Sequence, residues 1–393
     1  MDITNTLSIS LGRKSFVKHR YIQKAFTLII VLMPILLPYQ FLFTSYSVST
    51  VLSALLVIVG IGVLWTNKPR IRLWSIFFLL VFFIYAIFNS GVTVALSFAI
   101  AIIVLISLTT GYVDSKHIRK YIEIFSIVAA LAVILQTIIH YLIGSHLPLV
   151  AINFCTKSIQ EQYQQLVNTG ISDGHYRPSA FFLEPAHYTQ FSIFGLTSCL
   201  FRRNKSIKKA LIITLGIVAT TSGMGIALSI ITWAFWAIVY NWTWIKKHAF
   251  KFICLSLLAL VTVALVYQLP SVKFAVGRIV GTNGGMSAIK GRLFFWEEYF
   301  GQFAAKDLLF GFGQSTLPEE VYFTSFMVYL WAYGILGFSL YTFACGQLFV
   351  TSKLLAKYLV LVVFVLTFFA NQANIAGMLY NFGVIITLCK EKH

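Results

Sequence analysis

Apolar runs long enough to cross a bilayer follow one another along nearly the whole chain, separated by short polar breaks. A hydrocarbon core of about 30 Å needs roughly 20 helical residues at 1.5 Å rise each. The pattern predicts spans at Ala25 to Phe43, Val48 to Trp65, Leu73 to Phe88, a fourth ending near Thr110, and Ile122 to Ile143. A sixth begins near His187, and Thr221-Ser222-Gly223-Met224-Gly225 joins the seventh to the eighth. Phe252 to Tyr267 is the ninth. The stretch Phe323 to Val350 is too long for one upright crossing, so a break is expected at Tyr333-Gly334-Ile335-Leu336-Gly337, the first part being partly embedded. Asn371-Gln372-Ala373-Asn374 turns between the last two of about twelve spans. The fold class this predicts is an all-α polytopic membrane protein, 1–393 forming a single integral membrane domain. No heptads, soluble domain or internal repeat interrupt it.

Composition agrees: the chain is 59% hydrophobic and only 11% charged, where soluble domains carry about a quarter charged residues. The net charge of +18 does not mark a nucleic-acid protein, because the basic residues lie in clusters between apolar runs. On the proposed topology 23 Lys and Arg face the cytoplasm and 7 the other side, while acidic residues divide 4 to 8. Both termini are expected in the cytoplasm. The first run follows a basic segment and is long enough to span, so it reads as an uncleaved anchor. The five cysteines make no disulfide framework and read as small packing residues, with only Cys155 in a long loop.

Two extracytoplasmic loops are long, 144–186 and 268–322, and long loops in compact proteins tend to carry function. The first ends in Tyr176-Arg177-Pro178-Ser179-Ala180-Phe181-Phe182-Leu183-Glu184-Pro185-Ala186-His187-Tyr188. Pro185 suits the first turn of a helix, which places Glu184 at its entrance and His187 on the same side. Pro178 biases Arg177 to an extended backbone. A capped helix start with a surface arginine reads the same residues, but in a chain this poor in charge the functional reading is taken. The second loop carries Lys273, Arg278, Lys290 and Arg292 with Gly281, Gly284, Gly285 and Gly291 among them, a composition suited to a diphosphate, with a solvated loop as the alternative. No Gly-Lys-Ser/Thr follows, so it is not a nucleotide P-loop.

Glu297 and Glu298 follow Arg292 at helical distance and read as a salt-bridged face rather than an acid–base pair. His175, Glu184 and His187 have only generic spacing for a metal, and no metal or cofactor is expected. His140 and Gln136, one turn apart, read as a satisfied polar pair. The span interiors are read as free of Asp, Glu, Lys and Arg, which argues against a carrier with its site at the midplane.

These motifs, with Thr221-Ser222-Gly223, the second-loop residues Ser287, Arg292 and Trp296, Leu309-Phe310-Gly311-Phe312-Gly313 and Tyr333-Gly334-Ile335-Leu336-Gly337, resemble the O-antigen and capsule polymerases (Wzy-type) of the O-antigen polymerase/ligase superfamily. The resemblance implies a GT-C-type glycosyltransferase of the bacterial inner membrane. Such an enzyme transfers a growing glycan from undecaprenyl diphosphate to a lipid-linked repeat unit at the outer face, without metal. It also implies membrane lipid, a chain-length regulator and a flippase as partners. The sister ligases carry a histidine late in the second loop, and 268–322 has none. Some family patterns are absent too: Met224 stands where many members have arginine, and Tyr188, Ile289 and Phe303 fill the offsets of paired Arg-Gly motifs.

The mechanism expected is an inverting transfer with Glu184 as base and His187 in reserve. Arg177, Arg278, Lys290 and Arg292 would neutralise the leaving diphosphate, and Tyr176 and Trp296 would stack on sugars. An O-antigen ligase and a transporter of polysaccharide or lipid-linked sugar are the rival readings.

Overall fold

The computed structural model describes residues 3–40, 47–69, 73–172, 174–201, 206–248, 303–318 and 323–389, with isolated positions between 250 and 301; side chains are described from residue 20. Among them the helices are α1 (Ile3–Leu36), α2 (Val48–Thr66), α3 (Leu73–Phe88), α4 (Val92–Thr109), α5 (Ser115–Ile143), α6 (Lys157–Thr169), α7 (Pro185–Leu200), α8 (Ile207–Ala219) and α9 (Gly223–Lys247). Then follow α10 (Ala305–Phe310), α11 (Ser325–Thr351), α12 (Leu354–Phe369) and α13 (Ile375–Leu388). Five of these are long and apolar enough to cross a membrane: α2, α4, α5, α11 and the Gly223–Tyr240 part of α9. Shorter apolar helices accompany them, and several apolar helices in one chain mark a multi-pass membrane protein. The expected ninth span, at 252–267, lies outside the described residues apart from isolated positions.

α1 departs from the hydropathy reading. It begins in the basic N-terminal segment and stops at Leu36, short of Phe43. Pro38 disfavours helical angles at Leu37, which ends it there.

α7 is the centre of the bundle. Thirteen of its sixteen residues are buried, on every side of the helix, against α5, α8, α9 and α12. Small residues permit this closeness where lipid gives no hydrophobic drive between helices. Gly195 of α7 rests on Ser126 of α5, and a Cβ on Gly216 of α8 would lie 2.7 Å from the Ala130 Cβ of α5. Tyr380 of α13 donates from its hydroxyl to the Phe191 carbonyl of α7 at 3.2 Å.

α11 breaks where expected. Gly334 has φ 64° and ψ −170°, a conformation that side chains exclude, and the Leu309–Phe310 backbone occupies the space a Cβ would take. The break frees carbonyls of the preceding turn, and the loop before it accepts the task of pairing them. The amides of Phe312 and Gly313 donate to the carbonyls of Trp331 and Ala332 at 2.8 and 3.1 Å. The Tyr85 hydroxyl of α3 reaches the carbonyls of Phe310 and Tyr333 at 3.1 and 3.3 Å, closing the latch.

Two charged residues flanking the start of the fifth expected span are buried rather than solvated. Glu123 and Arg119, in the first turns of α5, are only 3% and 9% exposed. Glu123 accepts from the Ser198 hydroxyl of α7 at 3.0 Å and pairs with Lys209 of α8 at 3.5 Å. A buried carboxylate persists only with such partners, and these come from the two helices packed on α5.

Candidate functional site

The long loop between α5 and α7 is a folded element. α5 ends at Gly144 in the left-handed conformation, the 3-10 turn Ile152–Phe154 and α6 follow, and α6 ends at Gly170, also left-handed. A two-residue hairpin then pairs β1 (Ile171–Ser172) with β2 (His175–Tyr176), Ile171 opposite Tyr176. Val150, Cys155, Val167 and Leu183 form a small core of their own, joined by Tyr39 from the exit of α1. Burial there pushes the Cys155 thiol pKa up, in keeping with its expected packing role.

The last turns of α5 hold this element. The buried side chain of Gln136 donates to the Leu147 carbonyl at 2.8 Å and accepts from the Ala180 amide at 2.9 Å. Tyr176 lies flat on His140 at 3.7 Å between ring centres, and its hydroxyl lies 3.0 Å from both the Gln136 carbonyl and His146 Nδ1. His146 Nε2 reaches the Val167 carbonyl at 3.0 Å. Burial raises the Tyr176 phenol to about 12, so it stays protonated and hydrogen-bonding. His140 and Gln136 were expected to pair with each other; instead each grips the loop. One face of Tyr176 is thereby covered and the residue is 7% exposed.

The chain then runs into α7. The Arg177 amide bonds the Gly170 carbonyl at 2.6 Å, and its guanidinium lies 3.5 Å from the Ser172 hydroxyl. Ala180 has φ 54°, a left-handed conformation costing about 1–2 kcal/mol for a residue with a Cβ. The Gln136 bond and the Ser179–Phe182 turn, in which the Ser179 hydroxyl bonds the Phe182 carbonyl at 2.7 Å, hold it there. Glu184 is the N-cap of α7 and Pro185 its first residue, as the sequence predicted. The Glu184 side chain makes no capping bond, and among the described residues no hydrogen bond or ion pair engages its carboxylate. It lies half-buried at the mouth of the central helix.

His187, one turn on, lines an open cleft of about 80 Å³, bounded also by the end of α1 and the Asn371–Asn374 turn. Arg177, Glu184 and His187 therefore share one end of the bundle, though no hydrogen bond or ion pair joins Arg177 to Glu184 among the described residues. Arg278, Lys290, Arg292 and Trp296 lie outside the described residues, as do Glu297 and Glu298. Among the described residues no three His, Cys, Asp or Glu side chains gather as a metal site would require.

Residues 91–273 match the family model described as WcaD colanic acid polymerase. The match supports a Wzy-type polysaccharide polymerase, a glycosyltransferase-type enzyme of polysaccharide biosynthesis. It contains Arg177, Glu184 and His187 and ends before Arg278. No curated protein and no solved structure matches the chain.

Sequence reasoning missed the clamp formed by Gln136, His140 and His146. Its signal was available: two polar residues on one face of an apolar helix, and an Asp173-Gly174 pair that favours a tight hairpin before Tyr176. The amides beside His187 were missed too, since Asn371-Gln372-Ala373-Asn374 read only as a turn.

Proposed function

We propose that this chain polymerises a polysaccharide at the outer face of the bacterial inner membrane, moving the growing glycan from undecaprenyl diphosphate to a lipid-linked repeat unit. The observation that carries it is the unengaged carboxylate of Glu184 at the mouth of α7, within the segment matched by a polymerase family. A cap would have its oxygen on the helix amides; this one is left for another proton.

In the proposed reaction Glu184 takes the proton of an acceptor sugar hydroxyl. That oxygen attacks the donor anomeric carbon from the face opposite the diphosphate, and the carbon–oxygen bond to the diphosphate breaks with inversion. The anion leaving on the polyprenyl carrier needs positive charge, which Arg177, Arg278, Lys290 and Arg292 supply, so that no metal is required. Trp296 is proposed to stack on a sugar face. Tyr176, whose other face His140 already covers, holds the loop. His187 is the reserve base, one turn beyond Glu184. A flippase and a chain-length regulator are the proposed partners.

The test is complementation of a deletion strain and display of glycan ladders. Glu184→Gln keeps the shape and removes the base, a loss of about 100- to 10,000-fold, which leaves single lipid-linked units and no ladder. A full ladder from Glu184→Gln ends the assignment, and loss confined to His187→Gln transfers it.

A further inference from the structure

Beside Glu184 lies a cleft that the reaction above leaves unused. Its apolar lining includes Pro34, Leu37 and Pro38 and the aromatic side chains of Phe182, Phe191 and Tyr380. Its polar lining is Gln190, Asn371, Gln372, Asn374 and Asn381, with His187. Among the described residues no Lys, Arg, Asp or Glu lines it. A diphosphate would want the opposite lining.

Two of the amides are buried. Gln372 is 9% exposed and Asn381 4%. They bond each other once, Asn381 Nδ2 donating to Gln372 Oε1 at 2.7 Å. The Gln372 backbone is pinned as well, its amide donating to the Ser325 hydroxyl at 2.6 Å. Among the described residues the remaining donor of Gln372, Nε2, and the remaining acceptor of Asn381, Oδ1, have no partner. Flipping both amides gives the same outcome with atoms exchanged, one free donor beside one free acceptor. The two residues are largely buried, but these two atoms are not sealed off from the cleft the residues line, so a ligand there that both donates and accepts would satisfy the pair. Hydroxyl groups on neighbouring carbons do both, and the apolar face of a sugar ring suits a lining that contains Phe182, Phe191 and Tyr380.

We propose that this cleft is a subsite for an uncharged sugar of the lipid-linked glycan, held by Gln372 and Asn381 and placed by His187 and Gln190 next to Glu184. The proposal rests on the polymerase reading for the identity of the glycan, and on the half-satisfied amide pair for the site. It makes Gln372 and Asn381 binding residues and leaves proton transfer to Glu184.

The experiment measures binding rather than turnover. Full-length protein carrying Glu184→Gln is reconstituted in lipid nanodiscs. Two probes are titrated: the lipid-linked repeat unit extracted from a strain lacking this chain, and undecaprenyl diphosphate without sugar. Gln372→Glu retains an acceptor for Asn381 and removes the donor. We expect it to weaken binding of the sugar-bearing probe about tenfold or more and to leave the bare carrier unchanged. Should Gln372→Glu fail to reach the membrane, Asn381→Ser carries the same expectation. Unchanged binding of the sugar-bearing probe overturns the subsite, and so does an equal loss for both probes. Failure of the parent protein to bind either probe would instead overturn the polymerase reading, and the subsite with it.

Discussion

In its first turns α5 is tied to α7 and α8 through a buried carboxylate, Glu123, shared by Ser198 and Lys209. In its last turns the same helix is tied to the loop through a neutral amide, Gln136, shared by Leu147 and Ala180. Both are single polar side chains bridging two partners out of a helix that is otherwise apolar. The first couples helices to one another, and its partners include a charge half open to solvent. The second positions the segment that leads to Glu184, and it does so with an uncharged side chain. An ionic clamp beside Glu184 and Arg177 would compete with them for substrate groups; an amide and two imidazoles do not. The comparison teaches that the segment carrying Glu184 is placed by neutral groups, and its carboxylate is left without a hydrogen bond or ion pair among the described residues.

Substitution at each clamp separates these tasks. Gln136→Leu leaves the Ala180 amide and Leu147 carbonyl unpaired, a cost of about 3 kcal/mol for two buried groups. The damage should be confined to the loop: limited proteolysis within 144–184 should accelerate and ladders shorten while the helices stay packed. Unaltered proteolysis would remove Gln136 from its clamping role. Glu123→Ala should cost about 2 kcal/mol, less than a fully buried pair because Lys209 is partly solvated. Here the loss should appear in the melting temperature of the whole detergent-solubilised protein, with loop proteolysis following global unfolding. A loop-specific effect of Glu123→Ala would collapse the distinction between the two ends.

Two smaller effects refine it. Ala180→Gly relieves a left-handed backbone and should stabilise the loop by about 0.5–1 kcal/mol, read as slower amide exchange at 179–182. A slower-folding, less stable variant would show that the Cβ packs more than the backbone strains. The pH response of His146 is smaller still. Burial lowers its pKa, the bond to the Val167 carbonyl opposes that, and His140 adds to it. A depressed folded value means the unfolded loop binds the proton more readily. Its contribution is therefore complete above the ordinary value of about 6.5 and is lost as pH falls toward the folded value. Loop proteolysis should quicken between pH 7.5 and 5.5 in the parent and not in His146→Gln.

Much of this was legible from patterns local in sequence. Glu184-Pro185 announces a helix start because proline fits the first turn, and Gly334 announces the α11 break because a run of that length cannot cross upright. The end of α1 was misplaced because hydropathy continues through Pro38 while the backbone cannot. The loop clamp was not legible, since Gln136 and Ala180 meet across forty-four residues that share no periodicity. The burial of Glu123 was not legible for a related reason: an acid near the end of an apolar run looks solvated until two other helices close over it. The basic second-loop residues Arg278, Lys290 and Arg292 stay expectations of the sequence.

Glu184 also sets a limit on how stable this protein can become. Ser, Asp or Asn at an N-cap bonds the exposed amides of the first turn and is worth about 1 kcal/mol over a residue that does not. Glu184 stands at that position and gives α7 no such bond. The central helix thus starts below its attainable stability, at the residue assigned the chemistry. A laboratory selection for heat resistance alone should accumulate Ser or Asp at 184 and return proteins that melt later and build no polymer.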